Sequence, residues 1–465
     1  VLLIASVVAD ATRDDSRGPE RRTTSRAAEA TRPGTLSSAW YCAEGTSVRD
    51  GRADEMIVIA NASSNSIDAL ITALPGLGQA PVLKRVSVQA RGHIRVPVSE
   101  MVRTGDPGVI VEIFGGDASV EHEIFGPGDF AVGPCASTVS KQWYFPAGTT
   151  AKDTRQYLAI FNPFGEDAVV DLAFATDEGL KRPEALTGLV IPARSRATVR
   201  VHAHVRRQDH VATFVAARTG RVVAEQSNLF EGGGRRGVSL TLGAIAPAET
   251  WTFAESLIAP GVSQEISILN PSDSEAEVNF ETHLDGDEVI EPETLTIGAR
   301  SAVTVNLGDK VRQGLGHFVV VRSMSNKVVA AQTVYSSSPA PHSGVAMYLG
   351  ASLPARRWLF ASGRSEAGRD EWIVGANPSA RMAKVAITVL AAGQLLVPAG
   401  FEALTIGADG RGNFRLGDAL QRAEIPLIVC SDRPIFVTRG LYGGGISLGY
   451  GVPMADGPDG ACLAQ

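Results

Sequence analysis

Four of the five tryptophans in the chain open the same phrase. The copies are Trp40-Tyr41-Cys42-Ala43-Glu44-Gly45, Trp143-Tyr144-Phe145-Pro146-Ala147-Gly148, Trp251-Thr252-Phe253-Ala254-Glu255-Ser256 and Trp358-Leu359-Phe360-Ala361-Ser362-Gly363, spaced by 103, 108 and 107 residues. An apolar run ending in Asn follows each one, placing Asn61, Asn162, Asn270 and Asn377 at 21, 19, 19 and 19 residues after their tryptophans. A chain that repeats itself in register folds as a series of like units, because each copy has the same apolar pattern to bury.

Every landmark has strand character: short runs rich in Val, Ile, Thr and Phe, bounded by Gly, Pro, Asn and Asp. Thr198-Val199-Arg200-Val201-His202 and Ala302-Val303-Thr304-Val305-Asn306 alternate with period two, as half-buried strands do. A late strand recurs at Ala118-Ser119-Val120-Glu121-His122, Val222-Val223-Ala224-Glu225-Gln226, Val328-Val329-Ala330-Ala331-Gln332 and Ile435-Phe436-Val437-Thr438-Arg439. The last three copies close on Gly-rich strands, over 237–244, 344–351 and 445–452. About 105 residues with six to eight strands suits a two-sheet sandwich and is too long for one propeller blade. The expected fold is all-β, with four tandem immunoglobulin-like β-sandwich repeats over 39–137, 138–246, 247–353 and 354–455. Helix is expected only as a single turn near Gly417 to Ala423.

The first eight residues, Val1 to Val8, are almost wholly apolar and precede Ala9-Asp10-Ala11, a small-residue cleavage pattern. Residues 1–11 read as the remnant of a signal peptide or membrane anchor. Residues 12–38 mix both charge signs with Ser, Thr and Pro, and read as a flexible linker. Residues 456–465 read as a C-terminal tail. No other apolar run reaches the length that crosses a bilayer as a helix. The formal net charge is −7, which argues against a nucleic-acid partner and leaves membrane anchoring to the N-terminus alone.

The four cysteines, Cys42, Cys135, Cys430 and Cys462, lack the close spacing of a zinc site or a redox motif. They allow three connectivities, and the repeat selects one. Cys42 occupies the slot of Phe145, Phe253 and Phe360. Cys135 stands eight residues before Trp143, as Gly243 and Gly350 stand before Trp251 and Trp358. A large residue in one slot and none in the other suits two neighbouring positions, so a Cys42–Cys135 bridge is expected. By elimination Cys430 pairs with Cys462.

No catalytic, metal or cofactor site is expected. Gly445-Ile446-Ser447-Leu448-Gly449 fits the Gly-x-Ser-x-Gly elbow of hydrolases, but it lies in a strand and no His follows it. His202 and His204 would share a face of one strand, with His210 near, yet nothing places a third ligand beside them. Asp285-Gly286-Asp287-Glu288 lacks the spacing of a calcium loop and reads as a hairpin turn. Arg206-Arg207 and Arg235-Arg236 are too sparse to track phosphates. The four tryptophans could serve as sugar-stacking platforms, but recurrence at each unit's start favours packing anchors. The four asparagines suit turns, where Asn bonds nearby backbone.

Together these phrases resemble a repeat of exported proteins from actinobacteria and related high-GC bacteria. With Gly133-Pro134-Cys135-Ala136-Ser137 and Trp40-Tyr41-Cys42, the resemblance narrows to an actinobacterial family of secreted proteins of unknown function. It implies location and architecture, and brings no catalytic residues. Thr438-Arg439 replaces the Glu-Gln pair in the fourth copy, which argues against one function shared by that pair. The functional expectation is an exported, cell-envelope-associated, non-enzymatic binding or scaffold protein, with an envelope protein or glycan as partner. The alternatives are an adhesin or glycan-binding module and, further off, a hydrolase with an interdomain site.

Overall fold

The computed structural model describes residues 25–48, 52–126, 129–286 and 290–456. Four sets of strands follow one another. The first contains β1 (Ser38–Cys42), β2 (Asp54–Asn61), β3 (Ile67–Leu74), β4 (Val82–Val88), β5 (Gly92–Pro97), β6 (Gly108–Phe114), β7 (Ala118–Gly126) and β8 (Asp129–Pro134). The second contains β9 (Gln142–Phe145), β10 (Thr154–Asn162), β11 (Ala168–Thr176), β12 (Gly179–Lys181), β13 (Leu189–Ile191), β14 (Ser195–Arg200), a short helix α1 (Val201–His204), β15 (Val211–Thr219), β16 (Val223–Gly232) and β17 (Arg235–Leu242). The third contains β18 (Thr250–Phe253), β19 (Val262–Leu269), β20 (Ala276–Leu284), β21 (Glu293–Ile297), β22 (Ala302–Asn306), β23 (His317–Ser323), β24 (Val329–Ser336) and β25 (Gly344–Leu349). The fourth contains β26 (Ala355–Phe360), β27 (Asp370–Asn377), β28 (Ala383–Ala391), β29 (Gln394–Leu396), β30 (Leu404–Ile406), β31 (Gly410–Arg415), β32 (Leu427–Tyr442), β33 (Ile446–Tyr450) and β34 (Val452–Pro453).

Each of the first three sets builds two antiparallel sheets, and the order recurs. In the first the orders are β1-β6-β3-β4 and β5-β2-β7-β8, in the third β18-β23-β20-β21 and β22-β19-β24-β25. The second set matches, with β14-β10-β16-β17 facing a sheet built on β9, β15 and β11. In the fourth set the 16-residue β32 pairs with β26 and β28 through its first half and with β27 and β33 through its second, so one strand serves both sheets.

The recurring residues explain why the elements recur. Trp40, Trp143, Trp251 and Trp358 are all buried, so none is a platform for a sugar. Three of their indole N–H groups donate to the carbonyls of Val222, Val328 and Ile435, which ties each opening strand to the start of its late strand. Asn270 is buried at the end of β19. Its Nδ2 donates to the carbonyls of Ser274, Ile297 and Gly298, and its Oδ1 accepts from the N–H of Ser272. Asn61, Asn162 and Asn377 make the same four bonds at their own positions. Each asparagine thus replaces backbone partners for two converging turns, more than the local turn expected of it.

Cys42 and Cys135 form a disulfide with Cα atoms 4.7 Å apart, and both residues are buried. The other sets show what it replaces. A Cβ added at Gly243, Gly350 or Gly451 would stand 2.6, 2.8 or 2.7 Å from the ring of Phe145, Phe253 or Phe360. The glycine exists because the phenylalanine presses on its backbone; the disulfide fills the same space in the first set. Cys430 is also disulfide-bonded, and its expected partner Cys462 lies outside the described residues.

A prediction follows from that equivalence. Restoring the pair found elsewhere, Cys42→Phe with Cys135→Gly, should retain more stability in urea unfolding than Cys42→Ser with Cys135→Ser. Losing the cross-link should cost up to about 4–5 kcal/mol in the serine variant, the chain-entropy value for a loop of this length. Equal losses in the two variants would contradict the shared slot.

Candidate functional site: the axis and its joints

The Gly-rich closing strands meet at a common centre. β8 packs against β17, β17 against β25, β25 against β33, and β33 back against β8. The four sets therefore close into a ring around one axis. Asp129, Gly237, Gly344 and Gly445 take equivalent places at one end of these strands. The Asp129 carboxylate accepts the backbone N–H of Phe130 at 2.7 Å and of Val238 at 3.2 Å, and also those of Val345 and Ile446. One donor comes from each set. A Cβ at Gly237 or Gly445 would collide with that carboxylate, so one aspartate requires glycine at its counterparts. Burial pushes the Asp129 carboxyl up to about 8, against the pull of the four N–H groups toward the anion.

The other end of the axis is covered by chain that the sequence assigned to the linker. Residues 25–31 are seated here, with Ser25, Ala27, Ala28, Ala30 and Thr31 buried. The Ser137 N–H donates to the Ala27 carbonyl, the Ala30 N–H to Pro453 and the Thr31 N–H to Ala118. Arg26 donates to the Leu353 carbonyl and lies 5.5 Å over the Trp358 ring. The linker expectation is corrected over this stretch. The segment has no apolar period of its own because it is buried against residues of the sets, lining with them a cavity of about 120 Å³, and not in a core it makes itself. The N-terminal apolar run and Ala9-Asp10-Ala11 lie outside the described residues.

Side chains of the late strands hold neighbouring sets together. Glu225 of the second set accepts the N–H groups of Ala43 and Glu44, just after β1. Glu121, its counterpart in the first set, accepts the Ser362 N–H of the fourth at 2.8 Å and pairs with Arg439. These two glutamates share one task. Ala331 and Thr438 stand in their place in the other sets. There the Tyr450 hydroxyl accepts the Ala254 N–H, and Thr241 donates to the Met347 carbonyl. Arg196 donates to three carbonyls of the first set, those of Ala43, Gly45 and Pro107. Glu123 binds Arg95 at 2.6 Å and Arg364 at 2.9 Å across the junction of first and fourth sets.

A second recurring feature escaped sequence reading. Six residues before each asparagine stands Glu55, Gln156, Gln264 or Glu371, all buried. Each faces the residue after the glutamate slot. Glu55 lies 3.0 Å from His122, Gln156 donates to Gln226 at 2.9 Å, and Gln332 donates to Gln264 at 3.2 Å. In the fourth set Glu371 faces Arg439, and burial raises its carboxyl to about 8. Polar residues at a fixed offset inside an apolar run were the available signal. His122 is fully buried between Glu55 and Glu225. Burial opposes its charge, but the attraction and hydrogen bonds of Glu225 and Glu55 raise it to about 10.

The other sequence candidates fall elsewhere. His202 and His204 sit in α1, not on a strand, so residues two apart no longer share a face. His202 bonds the Gln156 carbonyl, and His210 pairs with Asp177 at 2.9 Å. Ser447 lies in β33 and its Oγ accepts the Val132 N–H, which is axial packing and not a nucleophile elbow. Asp285 pairs with Arg411, while Asp287 and Glu288 lie outside the described residues. Among the described residues, Cys42, His122 and Cys135 form a group with metal-ligand geometry, but both thiols are consumed in the disulfide. A buried disulfide fits an oxidising, extracytoplasmic compartment. Among the described residues no helix is long and apolar enough to cross a membrane.

Comparison with known proteins finds one family model, matching part of the chain. A model described as a family of unknown function, DUF5719, matches residues 130–228. No functionally curated protein matches the chain. Among solved structures, Thermotoga maritima 1070 is similar at 16% identity and a TM-score of 0.21, covering 23% of this chain and 94% of its own. The Anabaena sensory rhodopsin transducer is similar at 22% identity and a TM-score of 0.18, covering 19% and 97%. An α-L-rhamnosidase of Streptomyces avermitilis aligns at 11% identity and a TM-score of 0.14, covering 72% and 47%. At such scores none of the three bears on function.

Two predictions test the joints. Asp129→Gly leaves four inward N–H groups without their shared acceptor and should lower unfolding stability by about 3 kcal/mol. Asp129→Asn keeps one acceptor oxygen and should recover part of that loss; unchanged urea midpoints in Asp129→Gly would refute the axial role. For His122, a folded pKa above the unfolded value means stability present below about pH 6.5 and lost as pH rises through about 10. His122→Gln, the residue of the second and third sets, should flatten the stability profile over that window.

Proposed function

We propose that the chain is an extracytoplasmic, cell-envelope-associated, non-enzymatic binding or scaffold protein, built from four tandem immunoglobulin-like sandwiches closed into a ring. The observation that carries this reading is where the buried polar groups go. Glu121, Glu225, Arg196 and Asp129 satisfy backbone groups of neighbouring sets. Such groups at an active site would face a cleft and a reacting atom; here they fix the sets in one arrangement. The buried Cys42–Cys135 bridge supports an oxidising location.

Fractionation of the native host tests it. The full-length protein, detected by antibody, should appear in the envelope or medium, with no thiol that reacts with maleimide after denaturation. A cytoplasmic pool with reactive cysteines would refute the reading.

A further inference from the structure

The fifth tryptophan is unlike the other four. Trp372 heads no phrase and is only partly buried in β27. Its slot holds Met56, Tyr157 and Glu265 in the other sets, so the fold does not require an aromatic ring there. Trp372 lines a cleft of about 310 Å³ between the third and fourth sets. Asp370, Asn413, Arg411 and Tyr442 lie with it on one wall, and the third set supplies Glu255, Gln264 and His342 with apolar side chains between them. Where the first and fourth sets meet, the same face is bridged by Glu123 with Arg95 and Arg364. Gly440 stands in the place of Glu123 here, with Tyr442 and Leu448 packed against it, and Arg411 bridges the two sets instead.

The chemistry of the walls selects a ligand class. Arg411, which lines the cleft, is already matched, pairing with Asp285 at 2.7 Å and facing Glu255 at 3.7 Å, and Asp370 pairs at 2.8 Å with Arg415, whose guanidinium lies 5.9 Å from the Trp372 ring. Neither an anion nor a cation finds an uncompensated partner. Two aromatic side chains beside amide, hydroxyl and paired charged groups offer stacking to an apolar ring face and hydrogen bonds to hydroxyls around its edge. We propose that this cleft binds a neutral saccharide of one or two hexose units, with Trp372 as the stacking surface and Asn413 and Asp370 as hydroxyl partners. The proposal rests on the binding-protein reading above and gives it a site and a ligand class.

Calorimetric titration of the full chain with D-glucose, D-galactose, D-mannose, maltose and cellobiose tests it. At least one sugar should bind saturably, and Trp372→Ala and Asn413→Ala should each weaken that sugar at least about tenfold. Trp372→Phe, which keeps a ring, should lose less and serves if Trp372→Ala does not fold. No saturable binding at up to about 20 mM, well beyond a millimolar dissociation constant, overturns the proposal. So does binding that neither Trp372→Phe nor Asn413→Ala weakens. Either result leaves the extracytoplasmic location, tested by fractionation, standing.

Discussion

A single carboxylate closes this structure. Asp129 accepts a backbone N–H from each of the four strand sets, so one side chain from the first set is a partner to all the others. The four N–H groups converge by backbone geometry, and without an acceptor they would face one another in a buried space. Glycine at 237 and 445 keeps room for that acceptor, which makes the asymmetry of one aspartate among glycines a steric necessity. The ring then determines the rest. Strands β7, β16 and β24 are buried along nearly their whole length because one face meets a sandwich core and the other meets a neighbour.

That double burial explains why the joints are polar. A buried charge is costly unless it is paired and hydrogen-bonded, and Glu121, Glu123 and Glu225 each have a partner across a junction, Ser362, Arg364 and Glu44 respectively. Apolar faces would hold the sets together equally well, but would tolerate more than one order of contact. The paired polar groups differ from joint to joint, Glu225 with the N–H groups of Ala43 and Glu44, Glu121 with Ser362 and Arg439. The junction of second and third sets shows the contrast, with Phe230 edge-on to Tyr335 and Arg235 stacked 3.7 Å over the same ring.

The features legible in the sequence are those repeated within each set. Tryptophan, asparagine and the cysteine slots recur in register because each does the same local work in its own unit, and the structure puts them where that work requires. The ring was not legible, since its contacts join one residue from each copy and nothing in a single copy signals them. Residues 25–31 looked like linker because their burial comes from other sets. The strand expected at His202 and His204 turned into α1 because the chain leaves the strand after Arg200 and turns at Val201, where His202 bonds the Gln156 carbonyl. Trp372 carried a signal, a tryptophan outside the phrase, whose meaning needed the cleft beside it.

Small-angle X-ray scattering of the monodisperse full-length protein tests the ring most directly. A closed arrangement should approach the radius of gyration of a compact protein of this length, about 23 Å, with a pair-distance distribution having one main peak. Four sandwiches strung end to end would exceed that value well beyond what the terminal segments add, and would give a series of interdomain maxima. The extended profile would contradict the axis on which this account of the fold depends.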